Sequence, residues 1–205
     1  AFEDGLAPLP RTAEEAWALA GLFEGELPQA SGEAYRSSRI QVFTGAQSTK
    51  AQALALTDGS QDYRFLHIAT HGLLDIEHPQ FSGLLFSSDQ ETDAYWQTFE
   101  IFKARIPAET VVLSACETGL GKVIRGEGLV GLSRAFLFAG ASRVCVSLWM
   151  VADESTPVLM RRFYEGMLSG EFTAEALRQA QLDLIDAGVY SHPFFWAPFV
   201  LVGEG

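Results

Sequence analysis

Hydrophobic positions along the chain follow two patterns. Short runs that are nearly continuous in apolar residues recur in the centre and at the end. Arg64-Phe65-Leu66-His67-Ile68-Ala69-Thr70 leads into His71-Gly72, and Val111-Val112-Leu113-Ser114-Ala115 leads into Cys116. Val144-Cys145-Val146-Ser147-Leu148-Trp149 and Phe199-Val200-Leu201-Val202 have the same character. Such runs predict strands covered on both faces. Stretches with apolar residues at helical spacing lie between and after them: Glu127 to Ala139 before Gly140, Ser155 to Leu168 before Gly170, and Thr173 to Ala187 before Gly188. Upstream, Thr12-Ala13-Glu14-Glu15 has the form of a capping box, followed by Trp17, Leu19, Ala20 and Phe23, with Gly25 as the stop. Residues 28–38 read as loop, Arg39 to Phe43 as a short strand and Ser48 to Leu56 as a helix. Gly83-Leu84-Leu85-Phe86 reads as a further short strand, and Glu91 to Phe102 as loop or one helix.

Strands alternating with helices in this order predict an α/β fold, a three-layer α/β/α sandwich with a mostly parallel central sheet. With 205 residues, 48% of them apolar, the chain can bury one core, so residues 1–205 are expected to form a single domain. Its opening, Ala1-Phe2-Glu3-Asp4-Gly5, lacks an initiator Met, and the chain is expected to be a fragment of a longer polypeptide. The net charge of −12, with only Arg161-Arg162 as adjacent bases, argues against a nucleic-acid partner and is more compatible with a basic peptide. Two cysteines cannot make a disulfide scaffold, and no apolar stretch reaches membrane-spanning length. A cytoplasmic protein without membrane contact is the expectation.

The chemistry concentrates where the central strands end. Ligands of such sheets bind beyond the carboxyl ends of the strands, and His71 and Cys116 both stand there, 45 positions apart. A thiol becomes a useful nucleophile when an imidazole or a helix start populates its thiolate. Gly119, Gly121, Gly126 and Gly128 allow a tight path after Cys116. Gly72 lets a carbonyl approach its N–H, which together with the N–H of Cys116 would form an oxyanion hole. The alternative for Cys116 is an inert buried thiol, the reading that Cys145, in mid-strand, takes. His67 and His71 lack the glutamate of a zinc-protease helix and sit on a strand pattern, so no metal is expected and His67 is read as a core or orienting histidine. His78 and His192 read as surface or packing residues. Gly126-Glu127-Gly128-Leu129-Val130-Gly131 matches a dinucleotide fingerprint in letters but has no strand before it, and Gly119-Leu120-Gly121-Lys122-Val123 lacks the Ser or Thr of a phosphate loop. No cofactor is expected.

Taken together, Ala69-Thr70-His71-Gly72, Ser82-Gly83-Leu84, Leu113-Ser114-Ala115-Cys116-Glu117-Thr118-Gly119, Gly126-Glu127-Gly128-Leu129, Ser147-Leu148-Trp149, and His192-Pro193 with Trp196-Ala197 carry a family likeness. The chain resembles the CHAT domains, caspase-like modules related to separase and often fused behind tetratricopeptide repeats; the likeness runs from about residue 2 to residue 203. Caspase-type enzymes have their histidine about 50 residues before the cysteine. The resemblance implies a caspase-like fold and a cysteine endopeptidase acting on protein substrates. Cys116 would be the nucleophile, His71 the general acid and base, and Gly72 an oxyanion donor. It also implies that Ser114, two positions before the cysteine, reads substrate. Met150 stands where separase has the acid that reads a P1 arginine, and this departure puts a strict arginine preference in doubt. Asp153 is either a receptor for a basic P1 side chain or an acid at a helix start, and Glu117 is either a rim acid or a loop-stabilising acceptor. A tetratricopeptide-repeat or other regulatory domain is the implied partner. The rival function is a latent interaction or signalling module on the same fold.

Overall fold

A computed structural model describes residues 9–25, 34–75, 77–89, 93–117, 127–149, 151–152 and 154–204, with Pro10 and residues 115–117 and 127–130 described through their backbone. In chain order the elements are helix α1 (Pro10–Glu24), strands β1 (Ala34–Arg36) and β2 (Gln41–Phe43), helix α2 (Lys50–Leu56), and strands β3 (Tyr63–Leu73), β4 (Gly83–Leu85) and β5 (Tyr95–Gln97). Helix α3 (Thr98–Ile101), strand β6 (Ala108–Glu117), helix α4 (Glu127–Ala139), strand β7 (Arg143–Ser147), helices α5 (Thr156–Ser169), α6 (Thr173–Asp186) and α7 (Pro193–Trp196), and strand β8 (Phe199–Gly203) complete them.

The central sheet has the order β5-β4-β3-β6-β7-β8. Strands β3, β6 and β7 run parallel at its centre, and β4, β5 and β8 extend it through antiparallel pairings. Alternate side chains of the parallel strands enter two cores. Ile68, Val111, Leu113 and Val146 pack under α4 with Leu132 and Phe136, and Trp96 meets Phe136 edge-to-face at 5.8 Å. Val112, Cys145 and Phe199 pack under α1, α5 and α6 with Leu19, Leu159, Phe163 and Leu177. Helices therefore cover both faces, the three-layer arrangement expected from the alternating pattern.

Several elements differ from their expected bounds. Tyr95–Gln97 is a strand rather than loop or helix, because its edge pairs with β4 through Gly83↔Gln97 and Leu84↔Trp96. The capping box at Thr12 does not form: α1 starts at Pro10, a favoured first-turn residue, and the Thr12 hydroxyl donates to the Leu9 carbonyl at 2.8 Å. Its other member, Glu15, points into the protein. Strand β3 continues through Gly72 to Leu73, and β6 runs through Cys116 to Glu117, so these functional candidates lie within strands rather than just past them. Gly83 is required by close approach, since a Cβ there would stand 2.2 Å from the Trp96 carbonyl oxygen. Gly140, with φ of 121°, ends α4 in a conformation that side-chain-bearing residues avoid.

Candidate active site

The register between β3 and β6 defines the candidate site. Over nine matched positions the two strands run parallel, and they set Thr70 opposite Ala115, His71 opposite Cys116 and Gly72 opposite Glu117. Hydrogen-bonded strands lie about 4.8 Å apart, so His71 and Cys116 are lateral neighbours despite their separation in sequence. On its other side His71 pairs with Leu85 and Gly72 with Leu84 of β4. Gly72 is buried between these strands, and His71 is half-buried beside a cavity along β3. Thr70 hydrogen-bonds through its hydroxyl to the Leu85 carbonyl, tying β4 to β3 beside His71.

A buried polar cluster lies beneath this pair. The Glu15 carboxylate, brought in by α1, stands 3.0 Å from Nε2 of His67, and the Ser114 hydroxyl donates to its other oxygen at 3.5 Å. Nδ1 of His67 is 3.1 Å from the Tyr164 hydroxyl on α5. Burial, reinforced by nearby Cys145 and Glu15, holds the Tyr164 phenol well above its ordinary range, so it keeps its proton and donates. One arrangement satisfies every member: Tyr164 donates to Nδ1 of His67, and the Nε2–H donates to Glu15. Four elements (α1, β3, β6 and α5) thus meet in one hydrogen-bonded unit. His67 precedes His71 by four residues and Ser114 precedes Cys116 by two, so by the period of a strand the cluster occupies the same faces one and two steps back.

Sequence reasoning assigned His67 an orienting or core role, which these contacts specify, but it missed Glu15 and Tyr164. The available signal was the stripe Glu15, Leu19 and Leu22 at helical spacing: an acid on the buried face of a helix needs a partner inside. Tyr164 carried no comparable signal. Among the other candidates, Ser114 is buried with its hydroxyl aimed at Glu15. Glu117 is placed by the register alone, opposite Gly72. Met150 and Asp153, together with the glycines 119, 121 and 126 proposed to shape the loop after Cys116, fall outside the described residues. Cys145 is a free, buried thiol in β7, pushed up to about 12 by burial, and so has the inert character expected of it. His78 is exposed, 3.8 Å from Asp75, and the His192 ring accepts from the Phe194 N–H at the start of α7. Among the described residues no group of His, Cys, Asp and Glu is arranged to hold a metal ion, and no helix is long and apolar enough to cross a membrane.

The motifs near the end of the chain meet at the same end of the sheet. The Leu148 N–H donates to the Pro198 carbonyl at 2.8 Å, and the Trp149 indole donates to the Phe194 carbonyl at 3.2 Å. The aromatic residues around His192-Pro193 thereby brace the segment that leaves β7.

Comparison with known proteins agrees with this architecture. A family model described as the CHAT domain matches residues 3–204. Tetratricopeptide repeat protein 28 of Homo sapiens is 35% identical over 105 residues, which is 51% of this chain and 4% of that protein. The protein of the same name from Mus musculus is 36% identical over 105 residues, again 51% of this chain and 4% of the relative. The chain thus matches only a small part of the length of these curated relatives. With the family model spanning nearly all of the sequence, the chain belongs to the CHAT domain family.

Proposed function

We propose that this domain is a cysteine endopeptidase whose nucleophile is Cys116 and whose acid and base is His71. The observation that carries this reading is the parallel register of β3 and β6, which makes the two residues neighbours across the sheet. The Cys116 thiolate attacks the scissile carbonyl carbon, and the C=O pair moves onto oxygen. The N–H groups of Gly72 and Cys116 stabilise that oxyanion, each such donor contributing about 3 kcal/mol in the transition state. Collapse re-forms the carbonyl and breaks the C–N bond, with protonated His71 giving its proton to the leaving amine. Neutral His71 then removes a proton from water as the water attacks the thioester. The new acid and the free thiolate result.

Substrate choice belongs to the walls around this pair. Ser114 shapes the floor through its contact with buried Glu15, while Glu117, Met150 and Asp153 read the residues flanking the cut, Asp153 favouring a basic P1 side chain by paired hydrogen bonds. The name of the relatives, tetratricopeptide repeat protein, supports a repeat domain, in cis or as a partner, as the regulator of cleavage.

A peptidyl electrophile that alkylates thiols, combined with a peptide-substrate array, tests the proposal. Labelling and cleavage are expected in wild type and are lost in Cys116→Ala. His71→Ala is expected to keep the fold, measured by circular dichroism, and to lower turnover at least tenfold. Full turnover in folded His71→Ala removes the imidazole from the mechanism. Absence of labelling under every activating condition supports a latent interaction module instead. Asp153→Asn is expected to lower the ratio of Arg to Leu cleavage at P1, and an unchanged ratio removes Asp153 from substrate recognition.

A further inference from the structure

A cavity of about 130 Å³ lies at the amino ends of β3, β6 and β7, where these strands meet the turn between α5 and α6. Thr110, which lines it, precedes Cys116 by six residues on β6. At ~3.3 Å per residue that is about 20 Å from the candidate dyad, at the opposite end of the sheet. The register sets Thr110 between Phe65 of β3 and Arg143 of β7. Strand alternation turns all three side chains to the face that carries Val112 and Cys145, the one under α5 and α6.

The inner wall of this cavity presents donors. Thr110 is 1% exposed, and its hydroxyl has no hydrogen-bond partner among the described residues. A buried hydroxyl left unpaired is costly, and this one stands against the cavity. Thr173 is buried as well, and its hydroxyl oxygen accepts from Nη1 of Arg143 at 3.2 Å, which leaves the hydroxyl proton to donate. Nε of Arg143 donates to the Glu204 carbonyl at 2.9 Å, so the guanidinium is held in place with Nη2 to spare. Thr173 also opens α6, a helix of 14 residues whose N-cap, Phe172, supplies no capping side chain. The first amides of that helix therefore lack a capping oxygen. Hydroxyls, guanidinium and helix start together suit an anionic group.

The mouth has the opposite character. Glu109 and Glu171 line it and are exposed, with Glu109 3.9 Å from Nε of Arg64. A phosphate would bring further negative charge to these carboxylates and to a chain of net charge −12. A carboxylate with an ammonium beside it matches both zones. The head of an α-amino acid is smaller than the benzene that a cavity of about 150 Å³ accepts, so it fits here. Phe172, 81% exposed at the mouth, offers apolar surface to a side chain that projects outward. We propose that this cavity binds a free apolar α-amino acid. Its carboxylate meets Thr110, Thr173, Arg143 and the start of α6, its ammonium meets Glu109 and Glu171, and its side chain lies over Phe172. The inference stands apart from the peptidase reading, since it uses neither His71 nor Cys116.

Titration of the protein with L-leucine, followed by the amide NMR shifts of Thr110, Thr173 and Ala174, tests it. Saturable shifts are expected, with 4-methylpentanoate (no ammonium) and isopentylamine (no carboxylate) each binding at least tenfold more weakly. Thr110→Val exchanges the hydroxyl for a methyl group and is expected to weaken L-leucine at least tenfold. The melting temperature of the ligand-free variant is expected to hold or rise, because the hydroxyl it loses was unpaired; a packing role alone would not separate the two readouts. Thr110→Ser keeps the hydroxyl and is expected to keep the affinity. Glu171→Gln is expected to weaken L-leucine and to leave 4-methylpentanoate unchanged. Absence of saturable shifts at millimolar L-leucine overturns the proposal, as does full affinity in Thr110→Val. Tighter binding of inorganic phosphate than of L-leucine also overturns it, by marking a site for simple anions.

Discussion

At the scale of single residues, the cluster beneath the candidate dyad carries more constraint than its size suggests. Glu15 is buried, and its two oxygens face the His67 ring and the Ser114 hydroxyl. Removing one partner from such a group leaves the others desolvated and unpaired, which costs about 1–3 kcal/mol. Glu15→Ala is therefore expected to lower unfolding free energy in urea by about 2 kcal/mol, and Tyr164→Phe by about 1 kcal/mol. Since both variants act through His67, the double variant is expected to fall short of the sum. Additive losses would show that the His67 contacts on its two ring nitrogens are independent. Glu15→Gln keeps the shape but replaces the acceptor facing Nε2 with an amide, and it is expected to lie between wild type and Glu15→Ala.

At the scale of elements, a second buried contact fixes α2 against the edge of the sheet. The Lys50 ammonium, at the start of α2, lies 2.9 Å from Glu100 and 3.0 Å from both Asp93 and the Tyr95 carbonyl. Burial alone would lower its pKa, but the hydrogen bonds and charges of Glu100 and Asp93 outweigh that and raise it above the ordinary lysine value. Glu100 also accepts from the Gln97 N–H at the junction of β5 and α3. One side chain therefore joins α2 to two elements some 45 residues downstream. Lys50→Ala is expected to destabilise the fold by about 2 kcal/mol and to raise amide exchange first in α2 and β5. Uniform exchange changes across the sheet, with α2 no more affected than α6, would show that this contact does not hold α2 in place.

At the scale of the whole molecule, burial of groups that lose a proton at high pH sets an alkaline limit. Burial pushes the Cys145 thiol up to about 12 and holds the Tyr95 and Tyr164 phenols above their ordinary values. In the unfolded chain these groups ionise at about 8.5 for a thiol and about 10 for a phenol. The unfolded state then binds fewer protons than the native one, so stability falls as pH rises. The contribution is complete below the unfolded values and is lost progressively toward the native ones. The melting temperature is expected to stay level from about pH 7 to 8.5 and to decline above that, with Cys145→Ala removing the part of the decline below about pH 10. A wild-type profile that is flat to pH 11 would contradict this account.

Much of the architecture was legible in the pattern alone. The stop of α4 at Gly140, the helices ending near Gly170 and Gly188, and the central apolar strands follow from local propensity and two-sided burial, which sequence period records directly. His71 and Cys116 could be paired because each closes such a strand run. Residues whose partners are remote were read less well. Thr12 and Glu15 have the spacing of a capping box, yet Glu15 turns inward because β3 and β6 place His67 and Ser114 where a carboxylate is needed. Tyr95–Gln97 is a strand only because β4 supplies an edge for it. The sequence by itself therefore determined the alternation of strands and helices and which residues carry the candidate chemistry, since these depend on neighbours a few positions away. Tertiary structure decided the register that sets His71 beside Cys116 and the cluster that secures their strands, because each depends on contacts between segments distant in the chain.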